Sequence, residues 1–168
     1  MRYITAQQYK KLTEIPRGRM TSRFLVFSGV ILEKEGNVLL CRTHKSKYPG
    51  AGIPGGKVLW SEKIKETVIR EALEETGYRI ELNGILGLFQ REPGPEDEEF
   101  LRVIFTGDIK PGRRKTHTDP EIKDAVWVPL SEILKGNVQL QSKQLLIEFE
   151  RYNKGTRYPL DLLDTYIW

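Results

Sequence analysis

The segment from residue 61 to residue 76 constrains the fold most strongly, because its apolar side chains recur with the spacing of one helix face. At 100° per residue these side chains fall on one line and its margins, and they are Ile64, Val68, Ala72, Ile69 and Leu73. Gly77 follows at the position where helices often end in a left-handed residue. We therefore expect a helix over 61–76 that packs one face against a sheet.

Strand-like apolar runs lie before and after this helix. Residues 24–32 and 38–43 predict a β-hairpin whose turn is Gly36-Asn37. The other expected elements are strands at 79–90, 99–109 and 123–129, and helices at 5–13, 130–134 and 141–153. One early helix among strands, with helices returning late, favours an α+β class over strict βαβ alternation. We expect a single domain over 1–168 with short N-terminal and C-terminal extensions, the second of which is apolar enough to pack back on the domain.

Composition narrows the class of protein. No apolar run approaches the length of a membrane span, and residues 1–19 lack the hydrophobic centre of a signal peptide. The single cysteine, Cys41, excludes an intramolecular disulfide framework and a cysteine-rich metal site. We therefore expect a cytoplasmic protein without a membrane partner. The formal net charge of +4 permits attraction to anionic small molecules or nucleic acid, and the basic stretch 110–117 is either a solvated loop or one that attracts phosphate.

Negative charge is concentrated on the expected helix, where Glu71, Glu74 and Glu75 lie within five positions. Each close pair of like charges on a helix costs roughly 0.2–0.5 kcal/mol. Helical spacing places Glu71 and Glu75 at one margin of the apolar face and Glu74 just beyond it, where partial burial would increase their repulsion. Arg70 falls on the outer polar side, where we expect it to pair with Glu66.

The residues upstream of the cluster show a recognisable spacing. Gly56 is followed by five residues, then Glu62, then seven residues, then REALEETGY. This arrangement resembles the Nudix box, G-x5-E-x7-R-E-U-x-E-E-x-G-U, where U is a bulky apolar residue. The matched fixed positions are Gly56, Glu62, Arg70, Glu71, Glu74, Glu75 and Gly77. With about 7% usage at each position, one window matches by chance on the order of 10⁻⁸ of the time.

The resemblance extends beyond the box, to GIPGG at 52–56 and VWVPLSEIL at 126–134, so that it covers most of 25–135. It implies a Nudix-type α/β/α sandwich with a mixed central sheet. It also implies that Glu71 and Arg70 are catalytic, Glu71 by helping to activate water and Arg70 by holding the carboxylates through charge-assisted hydrogen bonds. The implied metal ligands are Glu71, Glu74, Glu75 and the carbonyl of Gly56.

Two further box residues have structural roles in this interpretation. Gly77 ends the helix, and Glu62 either binds the metal through water or fixes the loop to the helix start. Carboxylate oxygens at i, i+3 and i+4 suit Mg²⁺, for which we expect Mn²⁺ to be a substitute. With a cation bound, the repulsion within the cluster becomes attraction.

Many Nudix enzymes recruit another carboxylate from a late loop. We prefer Glu121 for this role because of its spacing to the late strand, and the acidic run at 96–99 is the alternative. Arg42 and His117 are the expected substrate-binding residues.

The implied reaction is Mg²⁺-dependent attack of water on phosphorus in a nucleoside di- or triphosphate or a related small organic pyrophosphate. Residues 98–109, the late strand with its helix, and GTRYPLDLL at 155–163 resemble the NudJ-type phosphatases of the family. The alternatives are a nucleotide-sugar or dinucleoside-polyphosphate hydrolase, an RNA 5′-end pyrophosphohydrolase that uses the basic stretch, and a non-catalytic nucleotide-binding module. The expected partner is a small molecule, with RNA less favoured and a homodimer left open.

Overall fold

The computed structural model describes residues 25–44, 49–91 and 100–163. The strands are β1 (Leu25–Lys34), β2 (Asn37–Thr43), β3 (Ala51–Gly52), β4 (Gly55–Lys57), β5 (Ile80–Arg91), β6 (Phe100–Ile109) and β7 (Ile122–Pro129). The helices are α1 (Ile64–Thr76), α2 (Leu130–Leu134) and α3 (Lys143–Asn153), followed by a 3-10 turn at Leu160–Leu162. The helix expected at 5–13 and the acidic run at 96–99 lie outside the described residues. No helix in the described ranges is long and apolar enough to cross a membrane.

The seven strands form one mixed sheet with β1 at its centre. The main path of the sheet is β3-β2-β1-β6-β5, with β4 paired to β1 and β7 paired to β2. The β1–β6 pair is parallel, from Leu25 opposite Phe100 to Leu32 opposite Gly107. The other pairs are antiparallel. This arrangement brings β4 to the middle of the sheet, directly beneath α1.

Helices cover both faces of the sheet. Alternate residues of each strand point to opposite faces, so each strand contributes to two cores. On one face α1 packs Val68 and Ala72 into a core that also contains Val30, Leu32, Leu39, Val103 and Phe105. On the other face α2 and α3 supply Ile133, Leu145 and Phe149 to a core with Ile31, Leu40, Leu86 and Ile104. The expected α+β class and α/β/α sandwich are therefore confirmed.

The hairpin turn lies one residue earlier than predicted. Glu35 and Gly36 occupy it with φ values of +53° and +77°, and Lys34 pairs with Asn37. Two consecutive left-handed residues match the twist of a tight hairpin, which is why the turn includes Glu35 and leaves Asn37 to begin β2.

Helix α1 begins three residues later than predicted. Ser61 has a left-handed φ of +63° and Lys63 is extended, so the first helical residue is Ile64. The helix ends as expected at Gly77, whose φ is +74° and whose N–H donates to the Leu73 carbonyl at 2.9 Å. Ile69, which was expected on the apolar face, is 41% exposed, because the buried face is centred on the line through Val68 and Ala72.

The C-terminal segment packs back on the domain up to residue 163. Tyr158 and Ile85 exchange two backbone hydrogen bonds of 2.8 Å, so the segment covers part of the free edge of β5. Leu160 and Leu163 pack against the core beneath α1.

Candidate active site

Arg70 is bonded to three carboxylates at once. Its Nε and Nη2 donate to the two oxygens of Glu62 at 2.7 and 3.0 Å. Its Nη1 donates to Glu74 at 2.9 Å and lies 3.0 Å from Glu71. The expected pair with Glu66 is wrong, because the guanidinium turns back toward the preceding loop, and Glu66 pairs with Lys63 at 3.4 Å instead. Arg70 therefore fixes the side chains around the acidic turn of α1.

Glu62 is saturated with donors, which favours a structural role. Besides Arg70 it accepts hydrogen bonds from the Thr67 hydroxyl at 2.8 Å and the Leu59 amide at 3.4 Å. The hydrogen bonds from Arg70 lower the pKa of Glu62 to about 2. Glu62 thus ties the loop before α1 to the first turns of the helix, the second of the two roles considered from the sequence.

Glu71 lies directly over Gly56 of β4. A Cβ built on Gly56 would stand 2.9 Å from one carboxylate oxygen of Glu71 and closer still to the other. The absent side chain, and not an unusual φ, is what the position requires, since Gly56 is not in the left-handed region. Burial is the main cause that raises the pKa of Glu71, and the Arg70 charge opposes it.

Glu75 is the most buried carboxylate of the cluster, with 8% of its surface exposed. It accepts a hydrogen bond of 2.9 Å from the amide of Gly55. Burial raises its pKa to about 8, and the charges of Glu71 and Asp119 add to that rise. The thiol of Cys41 on β2 contacts Glu75, and burial first and Glu75 second raise the pKa of the thiol.

The loop between β6 and β7, residues 110–121, is the late loop, and it docks on the C-terminal end of α1. The amides of Thr118 and Asp119 donate to the Glu74 carbonyl at 2.8 and 3.2 Å, and that of Lys115 donates to the Gly77 carbonyl at 2.9 Å. The Arg114 Nε binds the Thr76 carbonyl at 2.8 Å. These bonds satisfy carbonyls that a helix end leaves free and bring the loop to the acidic turn.

Asp119 is the late-loop carboxylate whose charge raises the pKa of both Glu71 and Glu75. From the sequence Glu121 is the preferred late-loop carboxylate; its side chain is exposed, and its amide donates to the Asp119 carboxylate at 2.8 Å. The backbone of Glu121 is engaged with β2, since its carbonyl accepts from the amide of His44 at 3.0 Å. The spacing to the late strand was the available signal, and it cannot distinguish two acidic residues so close together.

The two expected substrate-binding residues lie around one carboxylate. Arg42 donates to both oxygens of Asp124 on β7, with a distance of 2.6 Å from Nε to Oδ1. His117 is close enough for its charge to contribute to the lowered pKa of Asp124, which Arg42 chiefly causes. Arg42 and His117 are therefore brought together, and Asp124 positions the guanidinium.

The carboxylates fit a hard divalent cation by their chemistry but are not arranged as a complete cage. Within the described residues, no three His, Cys, Asp or Glu side chains form a group that could hold a metal ion as they stand. Glu71 and Glu75 face β4, whereas Arg70 draws Glu74 outward. The partly buried Glu71 and the buried Glu75, both with raised pKa values, are groups for which a cation would offset both burial and repulsion. Glu71 and Glu75 would therefore be the primary ligands.

Comparison with known proteins identifies the family of this chain. The NUDIX domain matches residues 22–149, and the chain belongs to the Nudix family. An ADP-ribose pyrophosphatase of Methanocaldococcus jannaschii is 25% identical over 126 residues, which cover 74% of this chain and 72% of that protein. Phosphatase NudJ of Shigella boydii is 29% identical over 122 residues, covering 67% and 78%.

One curated relative is much longer than this chain. A nudix hydrolase of Caenorhabditis elegans is 31% identical over 141 residues, and the chain spans only 37% of its length. Among solved structures, a NUDIX hydrolase from Nitrosomonas europaea aligns with a TM-score of 0.77 and 25% identity, covering 86% of this chain and 98% of that one.

The raised pKa of Glu75 predicts that the metal-free protein loses stability as pH rises. From an ordinary value of 4.5, the pKa is raised to about 8 in the folded state, so the folded state retains a proton between these values that the unfolded state has released. In EDTA, we expect the melting temperature to fall on the order of 5–10 °C between pH 5 and pH 8. Glu75→Gln should lack this slope, and Glu66→Gln should keep it. Parallel profiles for all three proteins would contradict the burial of an ionisable Glu75.

Gly56→Ala tests whether Glu71 needs the space over β4. The added methyl group would push the Glu71 carboxylate away, so we expect Mn²⁺ affinity to fall about tenfold or more with little change in the metal-free melting temperature. Gly84→Ala is the control, since its added methyl group would contact the Thr106 hydroxyl at 3.1 Å, outside the acidic cluster. Isothermal titration with Mn²⁺ measures the dissociation constant of each variant and of the wild type. Equal affinities for Gly56→Ala and the wild type would remove Glu71 from the metal site.

Proposed function

We propose that this protein hydrolyses a pyrophosphate bond in a nucleoside di- or triphosphate, or in a related small organic pyrophosphate, with Mg²⁺ as its cofactor and Mn²⁺ as a substitute. The observation that carries the proposal is a pair of carboxylates that face β4, the partly buried Glu71, which Arg70 contacts, and the buried Glu75, which accepts from the Gly55 amide. Two carboxylates with raised pKa values in a packed site point to a function that stabilises their charged forms. A cytoplasmic location is part of the same proposal.

When bound, the divalent cation would neutralise charge on the phosphate oxygens as water attacks phosphorus. The protein residues would divide the remaining work. Glu71 and Glu75 would hold the cation, with the Gly56 carbonyl beside them, and Glu74 would join after releasing Arg70. Glu71 would accept the proton of the attacking water, since it is less buried than Glu75 and borders solvent. Arg70 would keep the carboxylates from turning away while they exchange partners.

The late loop places a further carboxylate near the site. Asp119 adds negative charge beside Glu71 and Glu75, and we propose it in place of Glu121 as the late-loop participant. Arg42 on β2 and His117 in the loop before β7 would bind a phosphate or the leaving group.

The substrate class is drawn from the relatives. An ADP-ribose pyrophosphatase and the NudJ phosphatase are both similar over about two thirds or more of this chain. The first name describes cleavage of a pyrophosphate in a small nucleotide and the second describes a phosphatase, so the first relative favours a small nucleotide or pyrophosphate as the substrate. A NudJ-type activity agrees with the C-terminal GTRYPLDLL stretch, which the fold places against β5.

One observation favours the RNA 5′-end alternative. A shallow cleft of about 400 Å³ is lined by Arg113, Arg114, Lys115 and Thr116, on the loop that docks beside the acidic turn. Within the described residues, neither Arg113 nor Lys115 has a carboxylate partner. The affinity for an RNA substrate that used this cleft would fall steeply with added salt, whereas the affinity for a small nucleotide would depend on salt much less.

Replacing Glu75 tests the proposed function directly. We expect Glu75→Gln to reduce Mg²⁺-dependent release of phosphate or pyrophosphate by about 10²-fold or more, because a neutral amide is a poor ligand for a hard cation. The substrates would be a panel of nucleotides, dinucleotides, nucleotide sugars and thiamin pyrophosphates. Glu66→Gln is the matched control on the same helix and should keep wild-type turnover. Near-normal turnover of Glu75→Gln would contradict the assignment. Mg²⁺-independent binding without turnover by the wild type would favour the non-catalytic module.

A further inference from the structure

Ser28 carries a buried hydroxyl without a hydrogen bond to the rest of the fold. The residue is 3% exposed, and its Oγ has no hydrogen-bond partner within the part of the chain that the structure describes. A buried hydroxyl without a partner is costly, so proteins retain few of them. Ser28 therefore calls for an explanation beyond packing.

The other buried hydroxyls of the described chain are bonded. Thr67 donates to Glu62 at 2.8 Å, Thr76 to the Ala72 carbonyl at 2.5 Å and Thr106 to Asn83 at 2.6 Å. Each serves a local structural purpose: the loop before α1, the end of α1 or the β5–β6 pair. Ser28 differs because its strand neighbours offer it only the backbone ladder.

The strand register places Ser28 under the acidic turn. Val30 and Leu32, which follow Ser28 at alternate positions of β1, belong to the core beneath α1, so the Ser28 side chain points to the same face. Across the antiparallel pair, Ser28 is directly opposite Gly56. Gly56 is the residue over which the Glu71 carboxylate lies.

The distances in such a pair suit a bridging water. Opposed positions in an antiparallel pair stand about 5 Å apart at Cβ, and here the Glu71 carboxylate takes the place of the missing Cβ of Gly56. The Ser28 hydroxyl makes no direct hydrogen bond to the Glu71 carboxylate, and one water molecule between the two groups would link them. The hydroxyl and the carboxylate are therefore close enough to share one water.

We propose that Ser28 is a positioning residue of the metal-loaded site, where its hydroxyl donates through one water to Glu71 and holds that carboxylate over Gly56. This role rests on the proposed function, since it concerns the state in which Glu71 binds a cation. In the metal-free protein the hydroxyl makes no direct hydrogen bond within the described residues, so its burial does not stabilise the fold. It acts only when Glu71 must keep one fixed position against the pull of Arg70.

Ser28→Ala tests the proposal, with Thr106→Val as the matched control on the opposite face of the sheet. Two quantities would be measured for each variant: the melting temperature in EDTA and the dissociation constant for Mn²⁺ alone, from the spin resonance of the free ion. We expect Ser28→Ala to weaken Mn²⁺ binding about threefold to tenfold while the melting temperature in EDTA stays the same or rises. Thr106→Val should lower the melting temperature in EDTA and leave Mn²⁺ affinity unchanged.

The outcomes separate this inference from the proposed function. Unchanged Mn²⁺ affinity in Ser28→Ala would overturn the positioning role while leaving the metal site intact. A fall in the EDTA melting temperature as large as that of Thr106→Val would also overturn it, because the hydroxyl would then have a structural role in the metal-free protein. If the wild type bound no Mn²⁺, the proposed function itself would fail, and the role of Ser28 with it.

Discussion

The bonds of Arg70 to Glu62, Glu71 and Glu74 are the interaction on which the rest of the site depends. Without a cation, several carboxylates on two turns of one helix repel one another, and a single guanidinium with bidentate geometry is well suited to hold them. The same guanidinium fixes the loop before α1 through Glu62. Arg70 therefore links the charge pattern of the helix to the backbone on which two of its carboxylates lie.

Packing under α1 explains why the site tolerates buried charge. The helix can come close to the sheet because β4 presents Gly55 and Gly56, which leave room for Glu71 and supply an amide to Glu75. Burial then raises the pKa values of both carboxylates, so the metal-free site is poorly suited to being fully ionised. A bound cation would reverse that balance, so the proposed metal binding would also stabilise the protein.

The sequence predicted α1, its end at Gly77 and the placement of the carboxylates at the margin of its apolar face. These follow from helical spacing and from a motif with fixed intervals. It missed what depends on contacts across the sheet. Ser28 and Cys41 are ordinary strand residues in the sequence, and only the register of β1 with β4 and the position of β2 bring them under Glu71 and Glu75. The Arg70–Glu66 pair was wrong because pairing within the helix competes with a loop carboxylate that offers two oxygens. That the charge of Asp119 acts on Glu71 and Glu75 depends on how the late loop docks, which the spacing in the sequence does not show.

The central claim is that a divalent cation binds between α1 and β4 through Glu71 and Glu75. The anomalous diffraction of Mn²⁺ in crystals of the protein tests it most directly, since the signal locates the ion without reference to activity. We predict one strong peak within coordination distance of both carboxylates and beside the Gly56 carbonyl. A peak on the outer side of the helix, at Glu62 or Glu74 without Glu71 and Glu75, would contradict the account, as would the absence of any peak at saturating Mn²⁺.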